Sequence, residues 1–402
     1  MKPKKRIFIN LHYLEIGGAE RALIGMLYAI DTDKYDVDLF LNQHTGPFIS
    51  LIPKTINLLP EHPAYASIES PIVEALRRKK FGVVLGRVIG KIKYHWFRYR
   101  LHTTIQEGTF MQFLYDGVVS FLPSLKKYGT YDLAISYLDP PHIVQDKVDA
   151  KVKVEWIHTD FGGETFYYDK NATFERWAAN NYIISISDSV TNSFLKKFPE
   201  LKHKIHKMEN IIPVELVEHQ ANQFFPDEYR ENEDKVIICS VGRLSYQKNF
   251  ECIPLVANIL KKNGLNFYWC IIGPGEIEKY NDMANENGVG CCVSYIGSRN
   301  NPYPYMKYCN IYVQPSIYEG KAVTVQEAQM LGKPVVITKY PTSASQILNG
   351  QDGIICELDN QSIADTITML ANDKNLQINL GKRAAEMHHG NIEEIENLYK
   401  LL

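Results

Sequence analysis

Residues 310–339, NIYVQPSIYEGKAVTVQEAQMLGKPVVITK, decide how the fold is read. NIYVQPS and KPVVITK are short runs rich in β-branched and aromatic residues, the composition of strands. Between them, KAVTVQEAQML reads as a helix that Gly332 and Pro334 stop before the second strand begins. Gly320 permits the sharp turn that starts it. Strand, helix and strand in succession read as one repeat of a parallel α/β sheet.

The repeat extends in both directions. KVIICSVG, FYWCIIG, CVSYIG and GIICEL continue it through the second half, and RIFINL, DVDLFLN, YDLAISYL, KVKVEWIH and NYIISIS repeat it in the first. Helix-like segments such as 19–30, 249–262 and 361–371 lie between. Near-continuous apolar strands alternating with helices imply parallel sheets covered on both faces. Two such series predict two doubly wound, Rossmann-like domains, over residues 1–212 and 213–388, with a linker around Pro213 in NIIPVELVEHQ. Residues 389–402 carry Ile392, Ile395, Leu398, Leu401 and Leu402 at helical spacing and are free to cross back to the first domain. Ligands of such sheets bind beyond the carboxyl ends of the strands, so the cleft between the domains is the expected site.

A chain of 402 residues suits two domains of about 200 each. Its net charge of −2 provides no global field for nucleic acid. The seven cysteines lie between Cys239 and Cys356, several inside apolar runs and none in a Cys-x-x-Cys pair. That pattern predicts reduced, buried thiols, with neither a disulfide frame nor a metal site. The N-terminal MKPKKRIFINLHYLE has too short an apolar run for a signal peptide, and no run of 18 apolar residues occurs. A cytoplasmic protein is expected.

Four motifs sit just after predicted strands. In the first, Glu319 precedes the helix and Glu327 lies two turns into it. Eight residues correspond to about 12 Å of axial rise and place the two within about 80° around the axis. The backbone N–H groups of Lys321, Ala322 and Val323 between them form an anion site at the helix N-terminus. Hydroxyls, phosphate and further hydroxyls would match this order, and a nucleotide-sugar has it. A helix with a capping acid and a solvated glutamate has the same spacing. In SVGRLSYQKNFE a buried strand ends at Gly242, and Arg243 and Lys248 follow, two cations suited to a diphosphate. In NLHYLEIGGAER, Gly17 and Gly18 join the first strand to the first helix, where backbone can approach a ligand. In VEWIHTDFGGE, His158 ends a strand two residues before Asp160; it suits a bond to a substrate hydroxyl, or simply a satisfied structural histidine. Asp36 and Asp38 share one strand face and are set aside as solvent-facing.

In this order GGAER, VGRLSYQKN, GPGEIE, the long run from IGSRNNPYPYMKYC to TSASQIL, and GIICELDN resemble the retaining glycosyltransferases of family four, the glycosyl transferases group 1, whose fold is GT-B. The resemblance implies that Arg243 and Lys248 hold the donor diphosphate, with Gly242 in the same loop. It further implies that Glu327 bonds the ribose, and that Glu319 contacts the donor hexose with Gly320, Lys321, Ala322 and Val323 nearby. His158 would sit by the transferred sugar. Gly17 and Gly18 would line the phosphate pocket, and Pro304 and Tyr305 of NNPYPYMK would lie near the nucleoside. No metal or other cofactor is implied. Gln346 stands where relatives often carry glutamate and is given no role.

The expected activity is hexose transfer from a nucleotide-sugar, a UDP-sugar, to a saccharide or lipid-linked saccharide in capsule- or lipopolysaccharide-type synthesis. A nucleotide-sugar epimerase on the same fold and a non-catalytic nucleotide-sugar-binding partner subunit are the alternatives. Residues 77–100, RRKKFGVVLGRVIGKIKYHWFRYR, hold nine Lys or Arg and no Asp or Glu. They predict a basic amphipathic helix at an anionic membrane surface, or else one packed on the first domain.

Overall fold

The structure, a computed structural model, describes residues 3–101, 107–158, 170–387 and 390–402. The chain divides into two compact units. Met1–Glu15, Ala19–Asn210 and Glu393–Leu402 form the first, and Ile16–Gly18 with Ile211–Ile392 form the second.

The first unit is built on a seven-stranded sheet of β1 (Lys5–Leu11), β2 (Tyr35–Leu41), β3 (Asn57–Leu58), β4 (Tyr131–Ser136), β5 (Ala150–Ile157), β6 (Tyr182–Ser185) and β7 (Ile205–Lys207), in the order β3-β2-β1-β4-β5-β6-β7. The second is built on a six-stranded sheet of β8 (Val236–Val241), β9 (Phe267–Ile272), β10 (Val293–Tyr295), β11 (Ile311–Gln314), β12 (Val335–Thr338) and β13 (Ile354–Cys356), in the order β10-β9-β8-β11-β12-β13. All the pairings are parallel. Both orders reverse beside the first strand, between β1 and β4 and between β8 and β11. Loops leaving the carboxyl ends of such a pair diverge to opposite faces of the sheet and leave a crevice, which makes this the binding point of doubly wound sheets.

Burial on both faces explains the apolar strands. All six residues of β9, FYWCII, are buried. Alternate side chains supply two cores. Ile238, Trp269 and Val313 pack with the Ile253–Lys262 and Asn360–Asn372 helices, while Cys239, Cys270 and Tyr312 pack with the Tyr303–Tyr308 and Val323–Met330 helices. All seven cysteines are free thiols, and only Cys291 is exposed.

The chain's last helix, Ile395–Tyr399, is tied to the first unit. The Asp31 N–H donates to the Tyr399 hydroxyl at 2.7 Å, the Tyr35 and Tyr399 rings stack at 4.4 Å, and Lys5 Nζ donates to the Leu402 carbonyl at 3.0 Å. Asp38 is not solvent-facing as its strand pattern suggested. It accepts from Arg6 at 3.0 Å and from the Tyr131 hydroxyl at 2.6 Å, a partly buried cross-strand bond set.

The basic stretch forms the 21-residue helix Phe81–Leu101. It meets the Glu107–Val118 helix through glycines. A Cβ on Gly86 would lie 2.6 Å from the Gly117 carbonyl oxygen, and one on Gly117 would lie 2.2 Å from that of Gly86. Further along the same pair of helices, Tyr94 meets Phe110 at 5.3 Å and Phe97 meets Phe113 at 5.1 Å between ring centres. Phe81, Leu85, Val88, Ile92, Trp96 and Tyr99, spaced as one helical stripe, are instead 44% to 78% exposed. No helix among the described residues is long and apolar enough to cross a membrane.

Candidate active site

The second unit assembles a site where its strand order reverses. β8 ends at Val241, and Gly242 follows. Gly273, just beyond β9, has φ of +155°, and a Cβ there would lie 1.8 Å from the Gly242 carbonyl oxygen. Only glycine lets these two backbones meet. The loop after β8 then turns through Asn249, which is left-handed at φ 55°. It is strapped to the loop after β11. The Ile317 N–H donates to the Gln247 carbonyl at 2.8 Å, and Gln247 Nε2 donates to the Tyr318 carbonyl at 3.1 Å. The straps bring Lys248 Nζ to 2.5 Å from Glu319 Oε1, with their side chains only 17% and 6% exposed. Arg243, in the same loop as Lys248, is exposed.

Glu319 is held at further points. Ser316 Oγ donates to its Oε1 at 2.6 Å, Gln247 Nε2 lies 3.3 Å from its Oε2, and Thr342 Oγ1 donates to its carbonyl at 2.9 Å. After Glu319 and Gly320 the helix opens at Val323 and runs to Met330, with no side chain capping it from Ala322. First-turn N–H groups of a helix have no partner within it, which suits an anion. The N–H groups of Lys321, Ala322 and Val323 are not all available, however. The Ala322 N–H donates to Gln346 Oε1 at 3.0 Å, while Gln346 Nε2 donates to the Ala322 carbonyl at 2.6 Å. The Tyr340 hydroxyl donates to the same Gln346 Oε1 at 2.8 Å. Gln346, without a role in the sequence, thus clamps the turn that leads into the helix. Its partner lies 24 positions earlier, beyond any local pattern.

Glu327 is fully buried, and the Tyr303 hydroxyl donates to its Oε1 at 2.8 Å. In this segment it is Tyr303 that reaches a motif glutamate. Pro304 and Tyr305 are buried, and the Tyr305 hydroxyl donates to Glu228 at 3.1 Å. On a helix, side chains two positions apart point about 200° apart around the axis, so Tyr303 and Tyr305 serve different partners.

In the first unit, His158 directly follows β5. Burial pushes its imidazole down to about 3, so the ring is neutral at physiological pH. Its Nε2 is buried and has no hydrogen-bond partner among the described residues, and its ring lies 4.8 Å from that of Tyr137. Asp160 lies outside the described residues. Gly18 opens the Gly18–Ala29 helix, and a Cβ there would meet nothing within 4 Å, so space at this glycine is open; Gly17 precedes it in a bend.

A network that the motifs did not reveal lies at the reversal point of the first sheet. His12 Nδ1 is 3.0 Å from Glu69 Oε1, which also accepts from the Tyr115 hydroxyl at 2.7 Å. Burial pulls His12 down, but Glu69, Asp139 and Glu20 outweigh it and hold the ring above its usual value. Burial pushes Asp139 up to about 6 against the pull of His12. Glu155, in register with Ser136 across β4 and β5, is fully buried, and neither carboxyl oxygen has a geometrically sound partner among the described residues. Burial and the nearby Asp139 raise it well above its usual value. Among the described residues, no cluster of three or more His, Cys, Asp or Glu could hold a metal ion.

Two doubly wound parallel units, one with a Lys–Glu contact and a Glu-bearing helix at its reversal point, define the fold class, GT-B. Residues 221–387, inside the second unit, match the model of the family Glycosyl transferases group 1. The chain is 26% identical over 233 residues to a capsular polysaccharide biosynthesis glycosyltransferase of Staphylococcus aureus, a match taking in 54% of this chain and 60% of that one. It is 34% identical over 95 residues, 23% of this chain and 25% of that one, to an N,N'-diacetylbacillosaminyl-diphospho-undecaprenol alpha-1,3-N-acetylgalactosaminyltransferase of Campylobacter jejuni. The longer of these matches thus spans about six-tenths of the curated relative's length. The crystal structure of HepE from Anabaena in complex with UDP-glucose superposes with a TM-score of 0.69 at 14% identity, covering 98% of this chain and 99% of that one.

Proposed function

We propose that the chain is a retaining glycosyltransferase that moves a hexose from a UDP-sugar to a saccharide or lipid-linked saccharide in cell-surface polysaccharide synthesis. The observation that carries this reading is the Lys248–Glu319 contact at the carboxyl ends of β8 and β11, directly before a helix N-terminus. It sets a cation for phosphate beside a carboxylate for sugar hydroxyls. The UDP-glucose in the HepE crystal and the lipid-linked substrate in the Campylobacter enzyme's name support the donor and acceptor classes.

In this reading Arg243 and Lys248 neutralise the departing diphosphate. An ammonium has three N–H groups, so Lys248 can keep Glu319 and still donate to a phosphate oxygen. Glu327 accepts from the ribose hydroxyls, with Tyr303 fixing one of its oxygens. Gly242, Gly17 and Gly18 allow close backbone approach, and His158 meets the transferred sugar as a neutral imidazole. The bond from the anomeric carbon to phosphate breaks as the acceptor oxygen bonds on the same face, and the acceptor's proton passes to the leaving phosphate. No metal or cofactor takes part.

Its acceptor side belongs to a membrane surface in this reading. The exposed stripe from Phe81 to Tyr99 is flanked by Lys91, Lys93, Arg98 and Arg100, all exposed. Apolar residues that enter an interface, with cations beside them, suit anionic headgroups.

The test is a panel of UDP-, GDP- and ADP-sugars, read by thermal shift and by nucleoside diphosphate release with and without lipid-linked acceptor. UDP release that depends on the acceptor, with retained anomeric configuration, is expected. Binding without turnover would favour a partner subunit, and conversion of the sugar without transfer would favour an epimerase.

A further inference from the structure

The strand that leads to Glu319 carries polar residues where a parallel core strand would ordinarily carry apolar ones. Tyr312, Gln314 and Ser316 alternate along β11 and its extension, so they share one face, and each is fully buried. They form a directed chain. The Tyr312 hydroxyl donates to Gln314 Oε1 at 3.0 Å, Gln314 Nε2 donates to Ser316 Oγ at 3.0 Å, and Ser316 Oγ donates to Glu319 Oε1 at 2.6 Å. Thr338 Oγ1 fixes the Ser316 carbonyl at 2.5 Å. The Tyr312 hydroxyl also lies 3.4 Å from the Val241 carbonyl, while turning the Ser316 hydroxyl away would take a donor from the buried Glu319 Oε1. Oε1 of Glu319 is thereby committed to Ser316 and Lys248. Among the described residues Oε2 has only the longer 3.3 Å approach of Gln247 and keeps accepting capacity.

We propose that Tyr312, Gln314 and Ser316 are positioning residues that lock the Glu319 carboxylate, so that Oε2 meets sugar hydroxyls in one orientation and discriminates donors by hydroxyl stereochemistry. The inference rests on the reading of Glu319 as the contact to the donor hexose. A carboxylate free to rotate would accept from axial and equatorial hydroxyls alike; a fixed one favours one epimer.

Ser316→Ala and Gln314→Leu test this with the purified full chain and its best UDP-hexose. Misplacing a reacting-centre contact by even 1 Å can cost about 10²-fold in rate. The expected result is a kcat lower by about 10–100-fold. The ratio of kcat/KM between that donor and its 4-epimer should move toward one. UDP affinity by calorimetry should stay within about twofold, since the nucleotide is held elsewhere. Ser316→Thr, which keeps the hydroxyl, should restore most of kcat. In a Glu319→Ala background, Ser316→Ala should change nothing further. An unchanged kcat and epimer ratio in Ser316→Ala overturns the inference, as does an equal further loss in the Glu319→Ala background. A lower UDP affinity that tracks the lost kcat would mark a general structural role and overturn it as well. A wild-type chain that transfers no sugar from any donor instead sinks the transferase reading, and this inference with it.

Discussion

Lys248→Ala and Arg243→Ala should be alike in rate and unlike in stability. Lys248 Nζ lies 2.5 Å from Glu319 Oε1, and the Glu319 side chain is 6% exposed. Breaking a buried ion pair from one side typically costs about 3–5 kcal/mol, because a charge is left without compensation. Here Ser316 and Gln247 still donate to the carboxylate, so the cost should fall to about 2–3 kcal/mol. In a domain of this size that lowers Tm by roughly 4–12 °C. Arg243 is exposed, and its removal should stay within about 0.5 kcal/mol. Each substitution removes one cation from the departing diphosphate, which should cost about 10²–10³ in kcat. UDP release at saturating donor and a calorimetric melt measure both effects on the same samples. An Arg243→Ala protein that melts like wild type and turns over at near wild-type rate would falsify the diphosphate assignment. Equal Tm losses in the two variants would refute the ion-pair account of stability.

Glu327→Ala should weaken UDP affinity by calorimetry, and Tyr303→Phe should do so more mildly. Glu319→Ala should mainly lower kcat; equal losses of affinity in the Glu319 and Glu327 variants would contradict separate roles. Glu155 and Asp139 have folded-state values above their unfolded ones, so the stability of their protonated forms is present below about pH 4 and is lost as pH rises through about 6 for Asp139 and higher for Glu155. Glu155→Gln should therefore match wild type in urea unfolding at pH 4.5 and equal or exceed it at pH 8; a Gln variant weaker only at pH 8 would mean the carboxylate is needed as a charge. Sedimentation with anionic vesicles should fall with salt, with Lys91→Glu plus Lys93→Glu, and with Trp96→Ser. Indifference to anionic vesicles at low salt would leave a soluble acceptor as the better reading.

Much of the candidate site is carried by short-range pattern. Gly332 ends the Val323–Met330 helix at φ 70°, as a residue without a Cβ can, and Glu319 and Glu327 flank the helix start as their spacing implied. Contacts between distant positions are another matter. Periodicity shows that Tyr303 and Tyr305 lie two positions apart on one helix, but not that one bonds Glu327 and the other Glu228. It shows Tyr312 and Gln314 as strand residues, but not that their polar atoms line up behind Glu319. The exposed stripe of the Phe81–Leu101 helix likewise depended on which face its glycines turned to the neighbouring helix.

By itself, the order of residues determined the alternation of strands and helices and the cations and carboxylates that follow particular strands, because apolar period, glycine and proline act within a few positions along the chain. Which strand lies beside which was decided only in three dimensions. β8 pairs with β11 across some 70 intervening residues, and that pairing, through the straps from Gln247, is what sets Lys248 on Glu319. Pairing of that kind is chosen by the summed burial of two sheet faces, a property of the whole packed unit that no local stretch contains.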